Sequence, residues 1–508
     1  MQFNTSVFVF AFLPITLFLY YVIPFSRAKN YILLLASLAF CAWGDPSNLL
    51  LLIAVISINY FTALALVKVD GNLIKKLLLI TLISFNVIVL AVYKYTGFIV
   101  SNASALLGLD VVVPSIALPL GISYFTLKLI TYVVDVYRNR VDVQRNYIDL
   151  ALYAAMFPAI TAGPIVKYQT IEKQLRERAH TLRKFSSGVR LFCIGMAKKV
   201  LLSNTVAILA SSMLSYGGSE VGMYGAWFGL IAYAFQLYFD FSGYSDMAIG
   251  LAKMFGFDFE KNFNYPYISK SVTEFWRRWH ISLSTFFREY IYIPMGGSRV
   301  STPHFVLNMA TVWLLTGIWH GAAWNFIWWG LYYLIVLLIE KYVLSGFLER
   351  VPAAVRHFYV VFVFLMGWCL FWISDAGAIG EYVAALFGCY GLFGAQTYWQ
   401  IGAWQYYPVL LICLLASTPL LPWLKCRLQK WLKADEDTEG VAAYIGIKDT
   451  SAVDLCDFDS LIQGAHGARS GVVQIIQMLC DITLIALLVF SLAATISGSF
   501  SPVIYAAF

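Results

Sequence analysis

Apolar residues run in long blocks along this chain, near residues 6–25, 30–43, 48–67, 77–99, 115–134, 147–163, 188–215, 223–251, 305–319, 321–339, 358–374, 405–424 and 473–496. A helix needs about 20 apolar residues to cross a hydrocarbon core of about 30 Å. The longer blocks therefore predict membrane spans, and the shorter ones predict segments buried in protein or re-entrant from one side. The expectation is an all-α polytopic membrane protein with about 10–13 such segments. From Phe305 to Ile339 there is no Asp, Glu, Lys or Arg. As one helix this run would be about 50 Å long, too long for a single upright span. Two segments meeting near Gly317 and Gly321 are expected, with His320 at the join. The stretch Phe157 to Ile165 holds Pro158, Gly163 and Pro164 and reads as a re-entrant corner. No internal repeat is visible.

Two polar stretches interrupt the pattern. Lys167 to Lys184 is basic and amphipathic, expected on the cytoplasmic interface. Ala434 to Ser470 is acidic and loop-like, and Lys425, Arg427, Lys430 and Lys433 precede it, which puts it in the cytoplasm by the positive-inside rule. One further span, 473–496, then carries the C-terminus outside. The expected organisation is a membrane core over 1–425, a cytoplasmic insert over 426–472, and a last helix with an extracytoplasmic tail over 473–508. The first basic residue, Arg27, follows the apolar stretch Val7 to Phe25. A cleaved signal peptide carries its charge in front, so none is expected and the N-terminus is placed outside as well.

Composition sharpens the class. Hydrophobic residues make up 60% of the chain and charged residues 12%, about half the charge of a soluble protein. The net charge of +7 comes from basic residues between apolar blocks, which points to membrane loops and away from nucleic acid. The eight cysteines form no CxxC pair and no Cys/His metal spacing, so no metal is expected.

A titratable group at membrane depth is costly to keep, which makes His320 the first functional candidate. The densest polar cluster is Glu274 to Ser284, continuing to Tyr290. On one helix Trp276, His280 and Ser284 would share a face, and Glu274 would reach Arg277 or Arg278. As an interfacial helix it needs no further explanation, yet arginines beside a histidine also suit an anionic donor such as coenzyme A. Trp276, Arg277, Arg278 and Ser284 are therefore candidate donor-site residues. Asp240 and Asp246 interrupt another apolar block and are expected, with Glu274, to be structural supports paired with Arg277 or Arg278. There is no GxSxG elbow, no P-loop and no GxGxxG after a strand. Asn325 stands where an HxxxxD pattern starting at His320 would need Asp. A histidine without a neighbouring nucleophile fits a general base acting on an incoming hydroxyl.

Four stretches together carry a specific resemblance: Tyr238 to Gly250, Glu274 to Ser284, Pro294 to Gly297, and Leu315 to Trp324. They are similar to the membrane-bound O-acyltransferase (MBOAT) superfamily, most closely its bacterial alginate O-acetyltransferase (AlgI-like) branch. The corner at 162–165 and the segment Phe8 to Tyr21 also look family-like, and 434–470 is the clearest departure. The resemblance implies a ring of helices around a central tunnel, with the donor entering from the cytoplasm and the acceptor from the other side. It places the family's invariant histidine on His320 and its second histidine on His280. It also implies no bound cofactor, acetyl-CoA as donor substrate, a bacterial inner-membrane location, and a periplasmic SGNH-type acetyltransferase as partner on the way to a polysaccharide. The end, Phe500 to Phe508, is similar to a C-terminal motif of this branch and of a small partner peptide of a D-alanyl transferase. There a tyrosine is proposed to carry the acyl group, which makes Tyr505 the candidate carrier; Val503 and Ala506 stand where typical members have Phe. The resulting expectation is acetyl transfer to alginate, cellulose or peptidoglycan outside the cell. The competing expectations are a multi-span transporter or flippase and a lipid or protein acyltransferase using longer acyl-CoA.

Overall fold

The structure is a computed structural model, and it describes residues 1–114, 116–395, 402, 404–432 and 468–498. The described residues hold helices and loops and no strand. Six helices are long and apolar enough to span a membrane: Ser47–Lys68, Asn72–Leu107, Leu182–Tyr216, Trp324–Arg350, Ala353–Trp372 and Gln474–Ile496. A bent pair, Trp404–Ala416 with Leu420–Arg427, makes a seventh if taken as one span. The remaining apolar blocks form shorter or more polar helices packed among these.

In chain order the first helices are α1 (Leu13–Val22), α2 (Ser26–Ala42), α3 (Ser47–Lys68), α4 (Asn72–Leu107), α5 (Ile122–Tyr137) and α6 (Tyr147–Ala155). Then come α7 (Tyr168–Arg176), α8 (Leu182–Ala197), α9 (Asn204–Tyr216), α10 (Gly218–Met254), α11 (Val272–Arg278) and α12 (Ile281–Phe287). They are followed by α13 (Thr302–His320), α14 (Trp324–Ile339), α15 (Ser345–Arg350), α16 (Ala353–Trp372) and α17 (Ala376–Leu386). Two helices are central. Every residue of α5 from Ile122 to Val136 is buried, and so is nearly all of α10 from Gly229 to Ala252. Both carry buried polar groups that are bonded inside the protein: Lys128 of α5 donates to the Ala154 carbonyl, Asp135 of α5 accepts from the Tyr290 hydroxyl, and Asp240 of α10 pairs with Lys199.

Close approach of α8 and α10 depends on glycine. A Cβ on Gly195 would lie 2.5 Å from the Gly243 carbonyl oxygen, and one on Gly188 2.6 Å from that of Gly250. Small residues let membrane helices pack backbone to backbone where no hydrophobic drive separates protein from lipid. Polar side chains add to this between α3 and α4. The Asn59 and Asn86 amides bond each other at 3.1 and 3.0 Å, fully buried.

The expected corner is present as buried, irregular backbone after a 3-10 turn at Phe157–Ala159. Side chains supply the partners its backbone would otherwise lack. The Phe157 N–H donates to Ser37 Oγ at 3.1 Å, Tyr153 OH to the Val166 carbonyl at 3.0 Å, and the Ile165 N–H to Ser282 Oγ at 3.0 Å. Non-helical backbone at depth is tolerated only on such terms. The polar segment after it forms α7, which buries Tyr168, Ile171 and Leu175 on one face.

Three expectations need correction or bounding. Trp276, His280 and Ser284 do not share one helix: the chain breaks between α11 and α12, and His280 takes a left-handed conformation with φ 42°. Asp240 and Asp246 pair with Lys199 and Lys198, not with the arginines of α11. Both lysines lie on a π-helical turn, Lys198–Ser203, whose wider winding turns consecutive residues toward α10. Most of the 434–470 insert and the tail with Tyr505 lie outside the described residues.

Candidate active site

His320 is the last residue of α13, at the tip of a helical hairpin that α14 completes after Gly321. The hairpin closes tightly, since a Cβ on Gly317 would meet the Phe326 carbonyl oxygen at 2.4 Å and one on Gly330 that of Trp313 at 2.5 Å. His320 is 4% exposed. Its imidazole sits in an aromatic box, with ring centroids at 5.1 Å from Trp329, 5.2 Å from Trp319, 5.3 Å from Phe371 and 6.4 Å from Phe326. Asn325 donates to the Phe371 carbonyl at 3.0 Å and so ties the start of α14 to the end of α16. It is a brace for the box, consistent with the missing HxxxxD motif.

A second helix grips the same tip. From α4, Lys94 donates to the Trp319 carbonyl at 2.5 Å and Tyr95 donates to the Ile318 carbonyl. One turn and more along α4, Asn102 accepts from Trp324 Nε1 at 2.9 Å and Phe98 packs on the Trp324 ring. These bonds take up carbonyls that the end of a helix leaves without intrahelical donors. A lysine there also sets a positive charge against the negative end of the helix dipole.

His280, 2% exposed, packs near the same indole as His320, its ring 6.1 Å from that of Trp319. The two imidazoles are near enough to interact electrostatically. Phe241 of α10 packs edge-on at 4.6 Å. Asn262, from the loop after α10, holds this segment: its Oδ1 lies 3.1 Å from His280 Nδ1 and accepts from Ser282 N–H at 3.1 Å and Ser282 Oγ at 2.9 Å. Ser282 Oγ also receives the Ile165 N–H, so corner, histidine and α10 meet at one point.

The expected donor-site residues separate. Arg277 is exposed and lines a cavity of about 690 Å³ with Lys270, Lys341 and Arg356. Arg278 is committed to Glu274, at 2.9 Å from Nε and 2.8 Å from Nη2, and to the Asn264 carbonyl. Trp276 packs into the core against Trp313, Trp329 and Tyr333, and Ser284 Oγ lies 3.2 Å from the Trp276 carbonyl. Glu340, buried in the cavity wall, accepts from the Val272 and Thr273 amides at 2.6 and 3.0 Å and so holds the start of α11. Among the described residues no group of three His, Cys, Asp or Glu side chains could hold a metal ion.

Sequence reasoning missed Lys94 and Asn262. Lys94 interrupts an apolar block and was a visible signal; Asn262 is a polar loop residue like many others, and only the fold brings it to His280.

The sequence profile of the MBOAT, membrane-bound O-acyltransferase family matches residues 73–376. The chain is 41% identical to the probable alginate O-acetylase AlgI of Azotobacter vinelandii over 395 residues, 76% of this chain and 78% of that one. It is 38% identical to the peptidoglycan O-acetyltransferase of Helicobacter pylori over 371 residues, 67% of this chain and 70% of the relative. It is 30% identical to the teichoic acid D-alanyltransferase of Bacillus subtilis over 235 residues, 43% of this chain and 58% of the relative.

Proposed function

This chain belongs to the membrane-bound O-acyltransferase family, and from that premise we propose that it moves an acetyl group from cytoplasmic acetyl-CoA toward an extracytoplasmic polysaccharide. That it is a multi-pass membrane acyltransferase follows from the family and its relatives. The acetyl donor, the acceptor and the residue roles are our reading. The observation that carries it is the pair of buried histidines, His320 and His280, packed near one indole inside an aromatic shell.

In this reading His320 is the general base, assisted by His280, and it takes the proton of an attacking hydroxyl. The basic cavity holds the donor's phosphates through Arg277, Lys270, Lys341 and Arg356. Phe305 and Met309 also line that cavity, 15 and 11 positions before His320 on the same helix, or about 22 and 16 Å at about 1.5 Å per residue. A donor anchored there needs a long flexible thioester arm to reach the base, and coenzyme A has one. The attacking hydroxyl is that of Tyr505, an ordinary phenol with a pKa near 10 that needs such a base at neutral pH. The tyrosyl oxygen bonds the acetyl carbon, the thiolate leaves, and the acetyl ester is then passed to an SGNH-type partner or a sugar hydroxyl. Relatives named for alginate and peptidoglycan O-acetylation support a glycan acceptor in the envelope of a bacterium. In the same reading the enzyme sits in the inner membrane, and the distribution of basic residues along the chain puts both termini outside.

The test is release and transfer of label from radiolabelled acetyl-CoA by purified protein, wild type against His320→Ala and Tyr505→Phe, with protein-bound label counted after acid quench. Label that disappears in both variants supports the relay. Full acetylation by Tyr505→Phe removes the carrier step, and no donor turnover by folded wild type with its partner removes acetyl-CoA as the donor.

A further inference from the structure

His280 combines three features that its packing alone does not require. It is a non-glycine residue in the left-handed region, φ 42° and ψ 56°. It is buried, and its Nε2 has no hydrogen-bond partner among the described residues. And its Nδ1 faces the side-chain amide of Asn262 at 3.1 Å, with Ser282 Oγ farther off at 3.5 Å.

The hydrogen bonds fix which atom of that amide faces the histidine. A backbone N–H can only donate, so the Asn262 atom 3.1 Å from the Ser282 amide nitrogen must be the oxygen. Asn262 Nδ2 then points the other way, to Ser245 Oγ on α10 at 3.1 Å. The same oxygen, which cannot donate, lies 3.1 Å from His280 Nδ1. Ser282 Oγ, 3.5 Å from Nδ1, gives its own proton to the Asn262 oxygen at 2.9 Å, so Nδ1 carries the ring proton and in the neutral ring Nε2 carries the lone pair. The Asn262 carbonyl accepts the Ile281 N–H at 2.9 Å as well, so one residue grips three consecutive positions and holds His280 in its uncommon backbone conformation.

We propose that Asn262 is a positioning residue that fixes His280 as the Nδ1–H tautomer, with the bare Nε2 presented to the interior as a proton acceptor. This rests on the acyl-transfer reading for its chemical purpose, but the tautomer itself can be read without any turnover. A lone pair buried without a donor is costly unless something protic visits it. The visitor is a hydroxyl or a protonated His320, so that His280 shares the proton taken from the acceptor. The Asn262 side chain plays the part that a carbonyl or carboxylate plays behind many catalytic and metal-binding imidazoles.

The decisive measurement is the 15N spectrum of histidine-labelled wild-type protein in lipid, with His280 assigned by loss of its signals in His280→Gln. The expected result is a protonated Nδ1 and a bare Nε2. A proton on Nε2 alone overturns the proposal, whatever the variants do. In Asn262→Leu the expected spectrum loses that single tautomer, and kcat falls at least about tenfold with donor KM within about twofold, part of the roughly 10²- to 10⁴-fold that a general base supplies. Asn262→Asp keeps an oxygen facing both donors and should retain kcat within about threefold, a rescue not expected if Asn262 only filled space. Wild-type kcat in Asn262→Leu sinks the proposal. Absence of donor turnover in wild type, with the tautomer as described, instead removes the acyl-transfer reading and leaves the tautomer standing.

Discussion

The ammonium of Lys94 donates to the carbonyl of Trp319 at 2.5 Å, one residue before His320. A lysine inside a membrane helix is expensive, and this one also lies 5.6 Å from the Trp319 ring centre and interacts electrostatically with His320. It fastens the tip of the α13–α14 hairpin, which carries His320, to α4. Losing a hydrogen bond to a charged group costs about 1.5–3 kcal/mol, roughly a 10- to 100-fold change in rate if expressed in the transition state. Lys94→Met should lower kcat by that factor with donor KM nearly unchanged, and Lys94→Arg should recover most of it. Steady-state kinetics on the two variants checks this; equal losses in both would show that a donor at this position is not what matters.

His320 and His280 are expected to act as one unit. Alanine at either position should reduce acyl transfer by about 10²- to 10⁴-fold, the usual range for a positioned base. The double variant should be little worse than the poorer single one, because groups serving one proton transfer are not additive. Single-turnover donor consumption measures all three. A double variant whose loss is the product of the singles would mean that the two rings serve separate steps.

The pair Lys199–Asp240 is 4% and 6% exposed, buried between the Lys198–Ser203 turn and α10. Breaking such a pair strands a charge and costs about 3–5 kcal/mol, whereas replacing both partners with apolar residues of similar size is often neutral. Asp240→Ala should therefore lose most of its folded yield in detergent, and Lys199→Met with Asp240→Leu should recover it. Thermal unfolding followed by size-exclusion recovery distinguishes the outcomes. Equal stability of both variants would mean that the pair is not desolvated.

The hairpin with His320 at its join is legible in the sequence because a charge-free run from Phe305 to Ile339 is too long for one span and carries glycines where it must bend. The corner near Pro158 and Gly163 is legible for a similar reason. The break between α11 and α12 is not. Nothing in Trp276 to Ser284 forbids a continuous helix, and it is Asn262, 18 positions before His280, that draws His280 out of it. The sequence offers Arg277 and Arg278 as partners for Asp240 and Asp246, and the fold supplies Lys199 and Lys198 instead. A π-helical turn at Lys198 sets two adjacent lysines against α10, and such turns leave no periodic signal.

Arg277 and Arg278 are adjacent but should fail differently. Arg277 lines the basic cavity, while Arg278 is bonded to Glu274 and Asn264. Arg277→Ala should raise donor KM by roughly 10- to 100-fold with modest change in kcat, as expected when a charged contact to a bound phosphate is lost. Arg278→Ala should leave donor KM near wild type and lower thermal stability, since it frees a carboxylate and a carbonyl. Kinetics with acetyl-CoA alongside unfolding of both variants makes the comparison. A larger KM effect at Arg278 would move the donor's charged end to the other side of α11.

His180 gives the fold a pH dependence of known sign. It lies between α7 and α8, outside the spans, with its Nε2 2.9 Å from the Tyr20 hydroxyl. Burial, together with the nearby charges of Lys29, Arg178 and Lys184, lowers its pKa from 6.5 to about 4. A histidine whose pKa falls on folding binds fewer protons in the native state than in the unfolded chain, so low pH favours unfolding. Its contribution is fully present above about 6.5 and is lost as pH falls toward 4. The unfolding temperature in detergent should therefore drop across that window. His180→Gln, which keeps a side chain able to bond Tyr20 and cannot titrate, should show a shallower drop. The same slope in wild type and His180→Gln would assign the acid sensitivity to carboxylates instead.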